Sequence, residues 1–572
     1  MSDDIAKGIT DPQIQKLYAA LKVFDADVIQ SVLDLTNLLD SCALRFSTDP
    51  KYRNEVGEVN PTLWNVLSIL WDTTVQAHHN SPDDHETRLS GLCRSLAKFT
   101  RNLVAAEPLN QERALKNEPV IRSMIHRYTS YSAMQDETTF PVTRMLAQTL
   151  SNLITANETL SKNLWSEYLK LPEEQLILLR LFLSPDTKTV ISAFVLILNC
   201  IHDSRERIAF LISSPRGPRL CISLLDRLSS LADSEDSSDS NQAFTIGYEI
   251  FSKIIYEGLA PRLYAKIAVD EEIITPHQTT LLKLLDSYLQ STQHPELLFA
   301  EPESSAELVQ MLLSVFLSLT AYAQQAIRRA LGISLTTGSS VPRSTPDDSP
   351  YHTFKSSGAD AGNQQSSEPT QEPLQQLDLL LPKVCEALVL VSQCLITMLL
   401  NAEEGASDIS NEISMKESIS TATSRDGQGL VESLVETLRL LDSFIPRITF
   451  GKVVRRTAPS GLNEDENPIQ NEKAPSTDTP SSPGFNYVKR DLTRLLGIVA
   501  SGNKAVQDRV RACGGIPVIM NLCVVDDQNP YLREHAIFTL RNLLYRNQEN
   551  QDVVNDIRPM GRWDPSGVLR PV

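Results

Sequence analysis

The chain has 572 residues, enough for three to five globular units or one long array. With 53 Lys and Arg against 71 Asp and Glu, the net charge is −18; this argues against nucleic acid and against an anionic membrane surface as partners, since both need clustered positive charge. The 41% hydrophobic share supports a sizeable core, and 6% aromatics with 22 Gly suit a Leu-rich helical protein better than a β-sandwich.

Helical periodicity begins at 13–44, where Ile14, Leu17, Leu21, Phe24, Val28, Val32, Leu35 and Leu39 form one apolar stripe. The same spacing predicts helices within 61–77, 89–106, 142–170, 173–183, 187–231, 242–268, 278–290, 306–332, 375–401, 429–445 and 486–558. No run of alternating strands stands out. Four polar stretches, 231–241, 333–374, 402–428 and 455–484, are too poor in apolar residues to offset ordering entropy and read as disordered loops. The resulting map is an N-terminal helical block (1–332), a linker (333–374), a middle helical segment (375–450), a second linker (455–484) and a C-terminal block (485–558).

No uninterrupted run of about 18 apolar residues occurs, so no membrane insertion is expected. The acidic start Met1-Ser2-Asp3-Asp4 is unlike a presequence. Eight cysteines (42, 93, 200, 221, 385, 394, 513 and 523), none in a CxxC pair, read as free thiols of a reducing compartment, cytosolic or nuclear.

An internal repeat runs through the helices. Asn102-Leu103, Asn152-Leu153, Asn199-Cys200, Gly497-Ile498 and Asn542-Leu543 occupy one position of similar segments, and the steps 102 to 152, 152 to 199 and 497 to 542 are 50, 47 and 45 residues. Armadillo and HEAT units run ~40–47 residues. After the anchor, one helix ends at Ser501-Gly502, a short helix follows, and Gly514-Gly515-Ile516-Pro517 starts a third. Gly supplies the positive φ after a helix end, and Pro fits a first helical turn. The expected fold is all-α, an armadillo-like α-solenoid of the ARM/HEAT superhelical type with disordered polar inserts.

At 485–558 the residues carry a more specific likeness. Lys489-Arg490-Asp491-Leu492, Gly514-Gly515-Ile516-Pro517, Asp527-x-Asn529-Pro530, Arg533-Glu534 and Arg541-Asn542-Leu543 occur in the order and spacing of the C-terminal domain of the ataxin-10 family, which the segment resembles. The family usually has Trp where His535 stands. The long Ser/Pro-rich inserts are similar to those of fungal members, some named copper transport protein 86. The resemblance implies an armadillo-like solenoid, a cytoplasmic location, no enzymatic activity and a role in cell division through regulation of cytokinesis.

Metal and catalytic signals are weak. A soft-metal site needs closely spaced Cys, Met or His, whereas the nearest cysteine pairs, Cys385/Cys394 and Cys513/Cys523, are nine and ten residues apart. His78, His79 and His85 with Asp83, Asp84 and Glu86 read as a solvated loop with at most weak metal affinity. No metal and no cofactor are expected. No P-loop, GxSxG, HExxH or GxGxxG is present.

Binding signals are stronger. Asn102, Asn152, Asn199 and Asn542 form a ladder that either hydrogen-bonds an extended peptide or ties the loops between helices. Lys98, Gln148, Val195 and Phe538 stand where import receptors carry Trp, which disfavours that function. Residues 485–558 hold ten Lys and Arg against eight Asp and Glu, so this block can face an acidic partner. Its candidate protein-binding residues are Arg494, Asn503, Arg533, Glu534, Arg541 and Asn542. Thr345, Ser349, Thr479 and Ser482 precede proline in the linkers and are candidate phosphorylation sites, each adding about −1.5 to −2 charges.

Two functions remain open: a non-enzymatic scaffold that binds other proteins or a second copy of itself, and a copper-homeostasis factor acting indirectly or by weak metal binding.

Overall fold

Short amphipathic helices dominate the computed structural model, which describes residues 11–59, 61–80, 86–233, 238–291, 299–300, 303–333, 378–404, 409–423, 427–449, 452–454, 485–557, 562–563 and 569–570. Two compact units divide the chain, Met1–Met311 and Leu312–Val572. The first contains α1 (Pro12–Lys22), α2 (Ile29–Thr48), α3 (Pro50–Val59), α4 (Pro61–Asn80), α5 (Glu86–Leu103), α6 (Pro108–Ala114), α7 (Glu118–Tyr128) and α8 (Phe140–Ile154). It continues through α9 (Glu158–Tyr168), α10 (Ile177–Phe182), α11 (Thr187–Ile201), α12 (Arg205–Ser213), α13 (Gly217–Ala232), α14 (Ser238–Tyr256), α15 (Ala260–Lys266) and α16 (Pro276–Ser291). The boundary falls inside α17 (Glu303–Ala330).

The second unit continues with α18 (Leu381–Glu404), α19 (Ile409–Thr421), α20 (Leu430–Phe444), α21 (Val488–Ala500), α22 (Lys504–Ala512), α23 (Gly515–Leu522), α24 (Leu532–Leu544) and α25 (Gln548–Asp556). Two short antiparallel ribbons complete it: β1 (Arg447–Thr449) pairs with β2 (Lys452–Val454), with Arg447 opposite Val454, and β3 (Arg562–Trp563) pairs with β4 (Leu569–Arg570). Strands of two or three residues are too short to leave an alternating pattern, so the sequence did not announce them.

Every third helix joins one row. In the first unit α2, α5, α8, α11 and α14 pack side by side in that order; in the second α18, α21 and α24 do the same. One recurrent turn makes this possible. Ala106, Ala156, Asp203 and Gly258 in the first unit, and Gly502 and Arg546 in the second, take φ of 59°, 58°, 45°, 71°, 68° and 52°. Each stands one residue before the N-cap of a short helix. The side chains of Asn157, Ser204, Asn503 and Asn547 there accept the N–H of Leu160, Arg207, Val506 and Asn550, at 3.2, 3.3, 3.2 and 3.2 Å. A left-handed residue reverses the chain, and a capping side chain satisfies an otherwise orphaned donor of the next helix. This turn, repeated, makes each unit an all-α armadillo-type stack.

Several sequence expectations change. The stripe over 13–44 is two helices, because Asp25 accepts the Asp27 N–H at 2.9 Å and the Ser31 hydroxyl accepts the Asp25 N–H at 2.9 Å, a local turn that competes with helix. The polar stretch 231–241 is helical from Ser238, and α19 lies inside the polar stretch 402–428. Tertiary contact stabilises α19: Ile419 is fully buried, and Arg509 donates to the Ser420 carbonyl at 2.5 Å. Most of linker 333–374 and all of 455–484 lie outside the described residues, with Thr345, Ser349, Thr479 and Ser482. Two segments, Glu303–Ala330 and Leu381–Ala402, are long and apolar enough by length and composition to cross a membrane, although no uninterrupted apolar run marks them; the apolar stretch of the second is 67% buried within the structure.

Candidate protein-binding face

Close approach of α24 to α21 builds this site. Gly497 faces Thr539, and a Cβ there would lie 2.4 Å from the Thr539 hydroxyl, so only glycine lets the helices cross at this distance. Across the contact, the Thr539 hydroxyl donates to the Thr493 carbonyl at 2.9 Å and the Asn542 amide donates to the Gly497 carbonyl at 2.9 Å. α24 buries Leu532, Ala536, Thr539 and Leu543. Its other side is open: Tyr531 is 70% exposed, Tyr545 54%, Ile537 49% and Phe538 42%. The apolar spacing of the sequence assigns Ile537, Leu540 and Leu544 to the core beside Leu543. Only Leu543 is fully buried, because α24 has a packed neighbour on the α21 side and none over Ile537 and Phe538 among the described residues.

Positive charge frames the open side. Arg533 and Arg541 are exposed on α24, with Glu534 beside them, and Arg494 is half-buried on α21. None of the four makes a hydrogen bond or ion pair among the described residues. Arg490 is committed instead: it grips Asp491 through two bonds of 2.7 and 3.0 Å and lies 4.4 Å over the Tyr487 ring. Asp491 also accepts the Gln393 amide of α18 at 3.0 Å, which ties the row together. His535 is half-buried, and burial, then the charges of Arg494 and Arg490, hold its pKa below the usual 6.5. The face offers unpaired cations and aromatic and aliphatic groups, a chemistry suited to docking.

The asparagine ladder has structural geometry. Asn102 is buried and donates to the Ala43 carbonyl at 2.8 Å, and Asn152 donates to the Arg101 carbonyl at 3.2 Å. Asn199 donates to the Ser151 and Thr155 hydroxyls at 2.7 and 2.8 Å. With Asn542 on Gly497, each amide ties its helix to the preceding member of the row, so the bonds run from helix to helix and not within the loops. Asn503 is a helix N-cap. Lys98 pairs with Asp40 at 3.1 Å, and Gln148 accepts Arg101 at 2.6 Å, so these positions also bridge helices.

Two devices escaped the sequence. Gln111 donates to the Asn152 and Thr155 carbonyls and accepts Asn157; Gln507 donates to the Ala500 and Asn542 carbonyls and accepts Asn547. The same glutamine–asparagine clasp thus closes a repeat in both units. The second device is a buried charge cluster. Lys489, with no exposure, lies 3.2 Å from Asp526 and 4.0 Å from Asp442, and Asp442 is gripped by Arg447 of β1 at 2.9 Å. Asp527 N–H reaches the Ile448 carbonyl at 2.8 Å, so the ribbon and the 526–530 loop that precedes α24 are joined. A lysine in a first helical turn, with leucines following at 492, 495 and 496, was the available signal, and it reads the same as a solvated lysine until the packing is known.

His78 is not in a polar loop. It lies buried on α4, with Nδ1 2.7 Å from the Thr74 carbonyl and Nε2 2.7 Å from the Tyr128 hydroxyl. Among the described residues no three His, Cys, Asp or Glu side chains are grouped to hold a metal.

Residues 488–570, which include this face, match the family model described as the spinocerebellar ataxia type 10 protein domain. Similar relatives are the ataxin-10 homolog of Dictyostelium discoideum, 37% identical over 92 residues and covering 15% of either chain, and human ataxin-10, 38% identical over 81 residues, 14% of this chain and 17% of that one. The ataxin-10 homolog of Kluyveromyces lactis is 36% identical over 73 residues, 13% of this chain and 14% of the relative. In these three the matched stretch spans less than a fifth of the relative's own length. Solved structures that align over most of the chain include SYS-1, 12% identical with a TM-score of 0.35 and 95% of either chain covered, and an engineered protein, 14% identical with a TM-score of 0.29, covering 93% of this chain and 99% of that one.

Proposed function

With an ataxin-10 domain at its C-terminal end, the chain is, we propose, a non-enzymatic protein-binding scaffold that docks partners on the open side of α24. The observation that carries this reading is the juxtaposition of exposed Tyr531, Ile537, Phe538 and Tyr545 with the unpaired Arg494, Arg533 and Arg541. Exposed aromatic clusters beside arginine are typical of binding hot spots. In this reading the partner presents acidic and apolar groups, the protein works in the cytoplasm, and its part in the cell is the regulation of division at cytokinesis that the sequence resemblance implies.

The test compares proximity labelling and capture by the full chain with those of an Ile537→Asp/Phe538→Asp variant, at two salt concentrations. Partners lost by the variant and weakened by salt, with melting unchanged, support the reading. An unchanged partner set at both salt concentrations would place binding elsewhere. Self-association through the same side is the second reading, favoured by the same exposed apolar run. A full chain that stays monomeric at tens of micromolar rules it out.

A further inference from the structure

A second surface lies in the first unit, outside the residues that match the ataxin-10 domain. α9, α12 and α15 are the short helices that follow the left-handed turns at Ala156, Asp203 and Gly258. They have 11, 9 and 7 residues, and small side chains face the gaps between them: Ser166 on α9, Ala209 and Ser213 on α12, Ala265 on α15. Where larger side chains would close a helix-to-helix contact, these leave two adjoining hollows of about 440 and 370 Å³, one on each side of α12, with Ala209 and Ser213 common to both.

The floor is apolar. Ile212 and Leu259 line the first hollow at 3% and 2% exposure, and Trp165 and Phe210 line the second. The rim is basic. Lys162, Arg207, Arg262 and Lys266 line the two hollows against Glu206 as the sole acid among the lining residues. On the α9 side the charges are balanced, Lys162 with Glu206 at 3.3 Å and Arg207 with Glu158 at 3.7 Å. On α15 they are not: Arg262 and Lys266, one turn apart and both exposed, make no hydrogen bond or ion pair among the described residues. In a chain of net charge −18, an unpaired basic pair over an apolar hollow is a directed feature.

We propose that these hollows seat an acidic peptide segment of a partner protein, its carboxylates on Arg262 and Lys266 and its apolar side chains in the hollows beside α12. A peptide suits the shape better than a bilayer. The apolar groups lie at the floor of the hollows, where the side chains of a peptide can enter and a flat lipid surface cannot. Complementary charge over the rim sets register and raises the association rate.

The test uses the full chain and a fluorescein-labelled peptide of Glu and Leu, read by anisotropy. The Arg262→Glu/Lys266→Glu variant should weaken binding at least tenfold with melting unchanged, and Ala265→Glu, placed at the rim, should do the same. Raising salt should weaken the wild-type complex, and a Glu-only peptide should bind at least tenfold more weakly than the Glu/Leu peptide. The series is repeated in an Arg533→Glu/Arg541→Glu background, which removes the charge of the C-terminal face: there the α15 reversal should still weaken peptide binding at least tenfold, so failure here is separable from failure of the reading above. The proposal is overturned if charge reversal on α15 leaves peptide affinity unchanged. It is equally overturned if the same reversal abolishes binding to phosphatidylserine vesicles while the peptide does not bind, or if it converts a dimer of this chain to monomer.

Discussion

Leu543 and Ile537 lie on the same helix with opposite fates, and their difference predicts two different phenotypes. Leu543 is fully buried, so Leu543→Ala should cost about 2–5 kcal/mol by lost transfer and a cavity. Arg494→Glu with Arg541→Glu should each stay within about ±0.5 kcal/mol, because neither side chain holds a partner within the fold. Thermal melting of both variants beside the wild type checks this, and a double charge reversal that melts like Leu543→Ala would show that those arginines hold the fold. His535 adds a pH effect with a definite sign. Its folded pKa lies below 6.5, so the folded state favours the neutral ring, and its contribution is fully present above pH 6.5 and lost as pH falls through the folded value. Stability of His535→Gln should therefore decline less than wild type between pH 7 and 5 in denaturant titrations. Parallel curves for the two proteins would remove His535 from the account.

At the element scale, the left-handed turn is the repeated unit of construction, and it is mostly built from residues that resist it. Ala106, Ala156, Asp203 and Arg546 adopt positive φ, while Gly258 and Gly502 do so freely. A non-glycine residue in this region costs roughly 1–2 kcal/mol, part of which glycine recovers. Ala156→Gly should raise stability by up to about 1 kcal/mol, and Gly502→Ala should lower it by about the same amount. Urea midpoints of the two variants decide it; equal and opposite shifts are expected, and a loss in both would mean that the turns tolerate no change. Gly497 belongs to a different case. Its φ is ordinary, and what it provides is space for Thr539, so Gly497→Ala should separate α21 from α24 and cost more than Gly502→Ala. The Asn and Ser caps were partly legible, since they follow a helix end and precede an acidic or apolar turn. That the asparagines one turn earlier reach across to the preceding helix was not legible, because either partner leaves the same residue at the same spacing.

For the whole molecule the dominant electrostatic fact is the charge of −18. Such an excess repels itself, so raising salt from about 20 mM to 500 mM should raise the melting temperature. A fall instead would mean that ion pairs such as Arg144–Asp186 and Arg509–Glu432, at 2.9 and 2.6 Å, outweigh the net repulsion. The sequence by itself determined the all-α class, the repeat of about 45–50 residues and the C-terminal likeness, because helical periodicity, helix ends and short motifs are local and each is written in neighbouring residues. Only the tertiary structure decided which stripe is core and which is open. Ile537 and Leu543 are equally apolar, and burial depends on whether a neighbouring helix stands over them. It also decided that the asparagines bridge neighbouring helices of one row, that Lys489 is buried between two aspartates, that polar 409–421 is a helix and that α9, α12 and α15 leave hollows between them. Each of these depends on contacts between residues far apart in the chain, and such contacts leave no period in the sequence.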